Sequence, residues 1–280
     1  MQTAFEIKPA HETILNSMST YYYLTAKQVC RLHYSPGSFT RVEKLLKELR
    51  DNGFLQWDFL PIKRRFGSSP AYYMIAKRGV SYLRRLGCDV SLLPYPSEKR
   101  QLKSLFIPHT LSVNDFLIAA SLLPCVVPAI SLHDMRHELL LKRTIKGPVI
   151  PDGWLDFRRD NEQTCFWLEV DRGTEDVKVF REKIHSLVKF SKTGYQEVFH
   201  TPSITIVFAT TAGSVRLQNI LTWTQQVLSE MQETHEGDLF RFAVIPEGEL
   251  NPRWLFFEPL WTAPFSETPL SLLETHEETK

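Results

Sequence analysis

The chain of 280 residues is 43% hydrophobic and 23% charged, the balance of a globular protein with a sizeable core. Its longest apolar run, residues 116–130, is interrupted by Pro124 and Pro128 and is too short to span a bilayer; no signal peptide is expected either, because the opening residues lack a basic start followed by an apolar stretch. Four scattered cysteines (Cys30, Cys88, Cys125, Cys165) form no C-x-x-C pair, which argues against a disulfide framework or a zinc knuckle and for a reducing cytoplasm. The net charge of +1 conceals an asymmetry: residues 1–90 hold 14 Lys/Arg against 7 Asp/Glu, a balance of +7, and residues 91–280 carry −6. A basic front part of this kind suits a polyanionic partner.

Residues 11–23 are predicted helical, with Ile14, Leu15 and Met18 on one face. Thr25 is a good N-cap for a short helix ending at Leu32. After the turn at Ser35-Pro36-Gly37, Ser38 caps a helix over 39–50. Its Val42, Leu45, Leu46 and Leu49 form an inward stripe, while Arg41, Lys44, Lys47 and Arg50 face outward. Asp51-Asn52-Gly53 stops it. Two aromatic-rich strands, 54–60 and 71–75, flank the loop P-I-K-R-R-F-G-S-S-P, and a helix over 77–86 closes the segment. This order is the layout of a winged helix-turn-helix, assigned to residues 10–88. In that layout Lys63, Arg64 and Arg65 on the wing contact phosphate, and Arg41, Lys44 and Lys47 lie on the helix that enters the major groove of double-stranded DNA. Basic helices are also ordinary solvated faces, and winged helices also bind proteins. Element order, turn chemistry and regional charge together favour DNA.

Residues 89–106, with Pro94, Pro96 and a basic cluster, read as a linker to a second domain over 107–262. A buried helix is expected over 109–122, and a strand over 131–143 with helix as the alternative. Residues 149–171 read as two strands joined by a polar turn. A helix over 175–191, a buried parallel strand over 203–210 and a helix over 214–231 follow. Strands are expected at 240–245 and 254–258. The polar, acidic residues 263–280 are expected to be a disordered tail.

The 149–171 segment carries the chemistry. Its first strand opens with Pro151-Asp152 and its second ends in Glu169-Val170-Asp171. An antiparallel hairpin sets the start of one strand beside the end of the next, so Asp152 and Glu169 become neighbours. Two carboxylates converging amid apolar residues need a cation or a hydrogen-bonding network. Helix, three strands, helix, strand, with acids at these strand ends, is the αβββαβ pattern of restriction-endonuclease-like domains, whose motif is P-D followed by (D/E)-x-K. Here Asp171 stands where the lysine is expected. Hydrolysis of a phosphodiester calls for a hard divalent cation, Mg²⁺ or Mn²⁺, held by Asp152 and Glu169 with Asp171 assisting. Lys183 falls within the apolar arc formed by Val177, Val179, Phe180, Ile184, Leu187, Val188 and Phe190. It is either a relocated catalytic lysine or a structural partner of Asp171 or Glu169. Glu138 and Asp115 are possible third acids, and Asp156 either joins the site or flanks the turn. His133 and His137 do not form the H-E-x-x-H pattern and are read as non-ligands.

These features together resemble the replication-relaxation family of bacterial plasmids and mobile elements. The resemblance rests on Leu24-Thr25, H-T-L-S-V-N-D (His109–Asp115), P-D-G (Pro151–Gly153), L-E-V-D-R-G-T-E (Leu168–Glu175) and Lys183, and covers about residues 10–215. It implies a winged helix fused to a restriction-endonuclease-like fold and a DNA-associated role in plasmid replication and relaxation, alongside plasmid replication proteins and away from membranes. Whether the nuclease-like part cleaves or nicks DNA, or is a scaffold within a non-catalytic regulator, stays open at this level.

Overall fold

The computed structural model describes residues 5–60, 69–90, 106–147 and 149–274, and its contacts divide the chain into two compact units, Met1–Asn114 and Asp115–Lys280. The front unit runs α1 (Pro9–Tyr21), β1 (Tyr23–Thr25), α2 (Ala26–His33), α3 (Phe39–Asp51), β2 (Leu55–Phe59), β3 (Ala71–Ile75) and α4 (Lys77–Arg85). The three strands form an antiparallel sheet in the order β1-β3-β2. Thr25 begins α2 with a reciprocal capping box: its hydroxyl accepts from Gln28 N at 3.2 Å, and Gln28 Oε1 accepts from Thr25 N at 3.0 Å. Val42, Leu45, Leu46 and Leu49 of α3 are buried, as the stripe predicts. The first helix ends two residues earlier than expected because Tyr22 adopts φ 64, which frees Tyr23–Thr25 to pair with β3. The start of α5 (Phe106–Val126) also belongs here: Asn114 Nδ2 donates to Tyr21 O and Tyr23 O, and Gln28 Nε2 donates to Leu111 O. The division between units therefore falls inside α5, beyond the expected start at residue 107. Lys63, Arg64 and Arg65, which the sequence places on a wing, and most of the expected linker lie outside the described residues.

The rear unit continues through α5, then β4 (Ser131–His137), α6 (Glu138–Thr144), β5 (Gly153–Arg159), β6 (Glu162–Asp171), α7 (Val177–Thr193), α8 (Tyr195–Phe199), β7 (Thr205–Thr210), α9 (Gly213–Glu230), β8 (Phe240–Val244) and α10 (Pro252–Phe257). Its mixed five-stranded sheet has the order β4-β5-β6-β7-β8, antiparallel from β4 to β6 and parallel from β6 to β8. One face packs Trp154, Trp167, Ile206, Phe208, Phe240 and Phe242 against Phe180, Ile184 and Leu187 of α7 and Ile220 and Val227 of α9. On the other face Phe157 and Phe116 stack edge-on to Phe256 of α10, at 5.2 and 5.8 Å. By length and composition α5 is apolar enough to cross a membrane, yet Phe116, Leu117, Ile118, Ala119, Ala120 and Leu123 are wholly buried in protein.

Several expectations are corrected. The predicted strand over 131–143 stops at His137, whose Nδ1 accepts from Leu139 N and starts α6; E-L-L-L-K-R then follows its helical preference. The predicted strand at 254–258 is α10: Asn251 Oδ1 accepts from Trp254 N, and Pro252 occupies the first turn, where its missing N–H costs nothing. The expected disorder of the tail does not extend over residues 265–274. Leu272 and Leu273 are buried, and Trp261 pairs with Leu270. Val177 and Val179, assigned to the inward arc of the helix, are exposed, whereas Phe180 beside them is wholly buried.

Candidate functional site

The two strands that carry the acids are joined by Asp160-Asn161, with Asp160 at φ 51, a two-residue turn suited to the twist of a hairpin. The register pairs Gly153 with Leu168 and Trp154 with Trp167. Residues directly opposite in an antiparallel pair share a face, so one step further sets Asp152 across from Glu169 on the face that holds Trp154 and Trp167. The ladder does continue that far: Asp152 N donates to Leu168 O at 2.9 Å, and Asp152 Oδ2 accepts from Val170 N at 2.7 Å. Glycine between Asp152 and Trp154 has a packing reason, since a Cβ at Gly153 would sit 3.0 Å from Leu117 Cδ2 and 3.3 Å from Leu168 Cδ2.

Glu169 is 5% exposed. Its Oε1 accepts from Trp167 Nε1 at 2.8 Å and its Oε2 from Lys183 Nζ at 3.0 Å. Burial, reinforced by the neighbouring Asp152 charge, pushes its carboxyl up to about 7 against the pull of Lys183. Lys183 reaches in from α7 and also donates to Glu175 Oε1 at 2.7 Å. Burial works against its charge, but Glu169, Asp152 and Glu175 outweigh that effect and hold its pKa above the ordinary lysine range. Asp152, Glu169 and Lys183 thus form one electrostatically linked cluster, as the hairpin and the helical wheel foretold. Glu138, which follows β4, adds a carboxylate oxygen within 4.8 Å of one from Asp152, and its N–H donates to Asp152 O.

Asp171 stands apart from this cluster. Its carboxylate is taken by Arg216, with Nε to Oδ2 at 3.0 Å and Nη2 to Oδ1 at 2.8 Å, and by Thr210 Oγ1 at 2.7 Å. Burial opposes the charge, yet these bonds hold its pKa below the ordinary value. Of the two partners expected for Lys183, Asp171 or Glu169, the structure gives Glu169, and adds Glu175. Asp156 is likewise engaged elsewhere, by Arg158 and Gln163. His137 caps α6 through its Nδ1. In the front unit Arg41, Lys44 and Lys47 are all exposed on α3.

Sequence reasoning missed Trp167, Glu175, Thr210 and Arg216. Trp167 lies two residues before Glu169 on one strand, so period-two alternation was a usable signal. Glu175 sits inside the E-V-D-R-G-T-E segment already singled out. No local pattern links Arg216 to Asp171, which it meets only because β6 and β7 are adjacent and α9 returns over them.

The chain matches the family described as Replication-relaxation over residues 15–201, well over half its length. No curated protein matches it in sequence. Among solved structures, one titled "structure of restriction endonuclease FokI" shows 11% identity and a TM-score of 0.30, covering 85% of this chain and 42% of that one. The chain thus spans less than half the length of that enzyme.

Proposed function

From a chain that belongs to the replication-relaxation family, we propose a DNA-binding protein whose rear unit is a restriction-endonuclease-like, metal-dependent phosphodiesterase that nicks or cleaves DNA. The observation that carries this reading is the convergence of Asp152, Glu169 and Lys183 on one face of the sheet, with Glu138 alongside. Two buried carboxylates side by side, Asp152 and Glu169, the latter pushed up to about 7 by burial and by its acidic neighbour, suit a hard cation such as Mg²⁺ or Mn²⁺. When bound at Asp152 and Glu169, such an ion would polarise a phosphate and acidify an attacking water. The protein's own groups do the rest. Trp167 Nε1 fixes the rotamer of Glu169, and Val170 N fixes that of Asp152. Lys183 Nζ supplies positive charge for the oxygens of the transition state once its bond to Glu175 is exchanged for one to phosphate. Asp171 takes a positioning role through Arg216, locking the end of β6. The front unit delivers this site to duplex DNA as a winged helix, with α3 in the major groove.

One observation favours a second reading. Lys183 already satisfies two carboxylates, Glu169 and Glu175, as a structural ion pair would. The protein would then be a non-catalytic replication or transcription regulator on a nuclease-like scaffold. Incubating supercoiled plasmid with the full chain and Mg²⁺ or Mn²⁺ separates the two. Nicking that falls by roughly a hundredfold or more in Asp152→Ala and Lys183→Met supports the phosphodiesterase, a loss typical of removing an electrostatic group from such a site. Absence of nicking with every metal tried supports the scaffold.

A further inference from the structure

The front unit carries an exposed aromatic pair to which the proposed duplex contacts give no role. β2 is the edge strand of the β1-β3-β2 sheet, and its alternate residues Leu55, Trp57 and Phe59 share one face. Leu55 is buried, but Trp57 is 39% and Phe59 is 49% exposed. Their rings meet edge to face at 4.8 Å. The guanidinium of Arg50, at the end of α3, lies 5.1 Å from the Trp57 ring centroid and is steadied by Asp51. Tyr73, directly opposite Trp57 on β3, extends the same face.

We propose that this face binds unpaired DNA bases, which stack on Trp57 and Phe59 while the neighbouring basic residues follow the phosphates. The inference rests on the DNA-binding reading above and names a second form of DNA as ligand. Scattered exposed apolar side chains are ordinary, so the weight lies on the combination. Two propped aromatic rings and a guanidinium over one of them, with exposed Lys47 one turn before Arg50 on α3, occur in a segment of net charge +7. The complement of that surface is a polyanion that also offers flat π faces. A duplex hides its base faces in its own stack, whereas a single strand or a melted stretch presents them. A lipid surface supplies the charge without the rings.

The test is an anisotropy titration of the full chain, at one fixed salt concentration, with three labelled probes: a short single strand, the same strand made abasic, and a duplex. The intact single strand should bind, and the abasic strand should bind about tenfold more weakly despite equal charge. Trp57→Ala with Phe59→Ala should weaken single-strand binding by about tenfold or more and duplex binding by less than about threefold, whereas Trp57→Phe should keep most of the affinity. Equal binding of intact and abasic strands by the wild type overturns the proposal without relying on any variant. So does an unchanged single-strand affinity in the double variant, or an equal loss on duplex. A shift in sedimentation with no change in DNA affinity would instead mark the face as a self-association surface, and also overturns it. Wild type that binds duplex but no single strand removes this inference alone; binding to neither removes the DNA reading beneath it.

Discussion

At the scale of single residues, Glu169 sets the pH behaviour of the cluster. Its carboxyl moves from an ordinary 4.5 to about 7 on folding, chiefly because it is buried. The folded state therefore holds that proton more tightly than the unfolded chain. The resulting stabilisation is complete below pH 4.5 and is lost as pH rises through about 7. Lys183 is also raised, so its own contribution persists across this window and is lost only at more alkaline pH. Thermal unfolding followed from pH 5 to 8 should thus show a decline in Tm that is visibly shallower in Glu169→Gln, which has no proton to lose. Matching slopes in the two proteins would mean that Glu169 gains no proton affinity on folding. The neighbourhood of Asp152 and Glu169 was legible beforehand because a hairpin's register is local, and Lys183 because helical periodicity is local too. Arg216 was illegible because the pairing that defines it spans two strands and a helix.

Between elements, the pair formed by Asp171 and Arg216 ties the end of β6 to the first turn of α9, and Arg216 also lies 5.0 Å from the ring centroid of Trp223. Both charges are largely removed from water, at 5% and 12% side-chain exposure. Removing one leaves the other buried without a counter-charge, which costs about 3–5 kcal/mol, while replacing both with apolar residues of similar volume costs much less. Asp171→Ala should therefore lower the urea midpoint more than the double variant Asp171→Leu with Arg216→Met. Equal midpoints would show that the pair is not an isolated buried unit. The same scale explains the misread segments. Residues 254–258 are aromatic enough for a strand, but Asn251 and Pro252 supply a helix start that outweighs side-chain preference. Residues 265–274 are polar in composition, yet Leu272 and Leu273 find buried positions.

For the whole molecule, the separation of charge is the governing property. On the DNA-binding function proposed above, a front segment of +7 on a chain of net +1 would direct the basic helix α3 toward phosphate. Every phosphate that the protein ceases to neutralise should flatten the dependence of log binding constant on log salt by about 0.9. Arg41→Ala, Lys44→Ala and Lys47→Ala in one chain should therefore reduce the slope on duplex DNA by about two to three and weaken binding to any sequence. A slope identical to wild type would move the duplex interface away from α3.

The amino-acid order by itself determined the elements whose signals are short-range: the capped α2, the striped α3, the hairpin of β5 and β6, and the lysine on the inner side of α7. It pointed to two acids that would meet, because a short turn sets the start of one strand beside the end of the next and alternation keeps opposite residues on one face. Only the tertiary structure decided how the remaining charges are shared, assigning Lys183 to Glu169 and Glu175 and reserving Asp171 for Arg216. The reason is that a buried charge chooses its partner by proximity in space. Proximity across β6, β7 and α9 is fixed by packing of the whole sheet and not by any spacing along the chain.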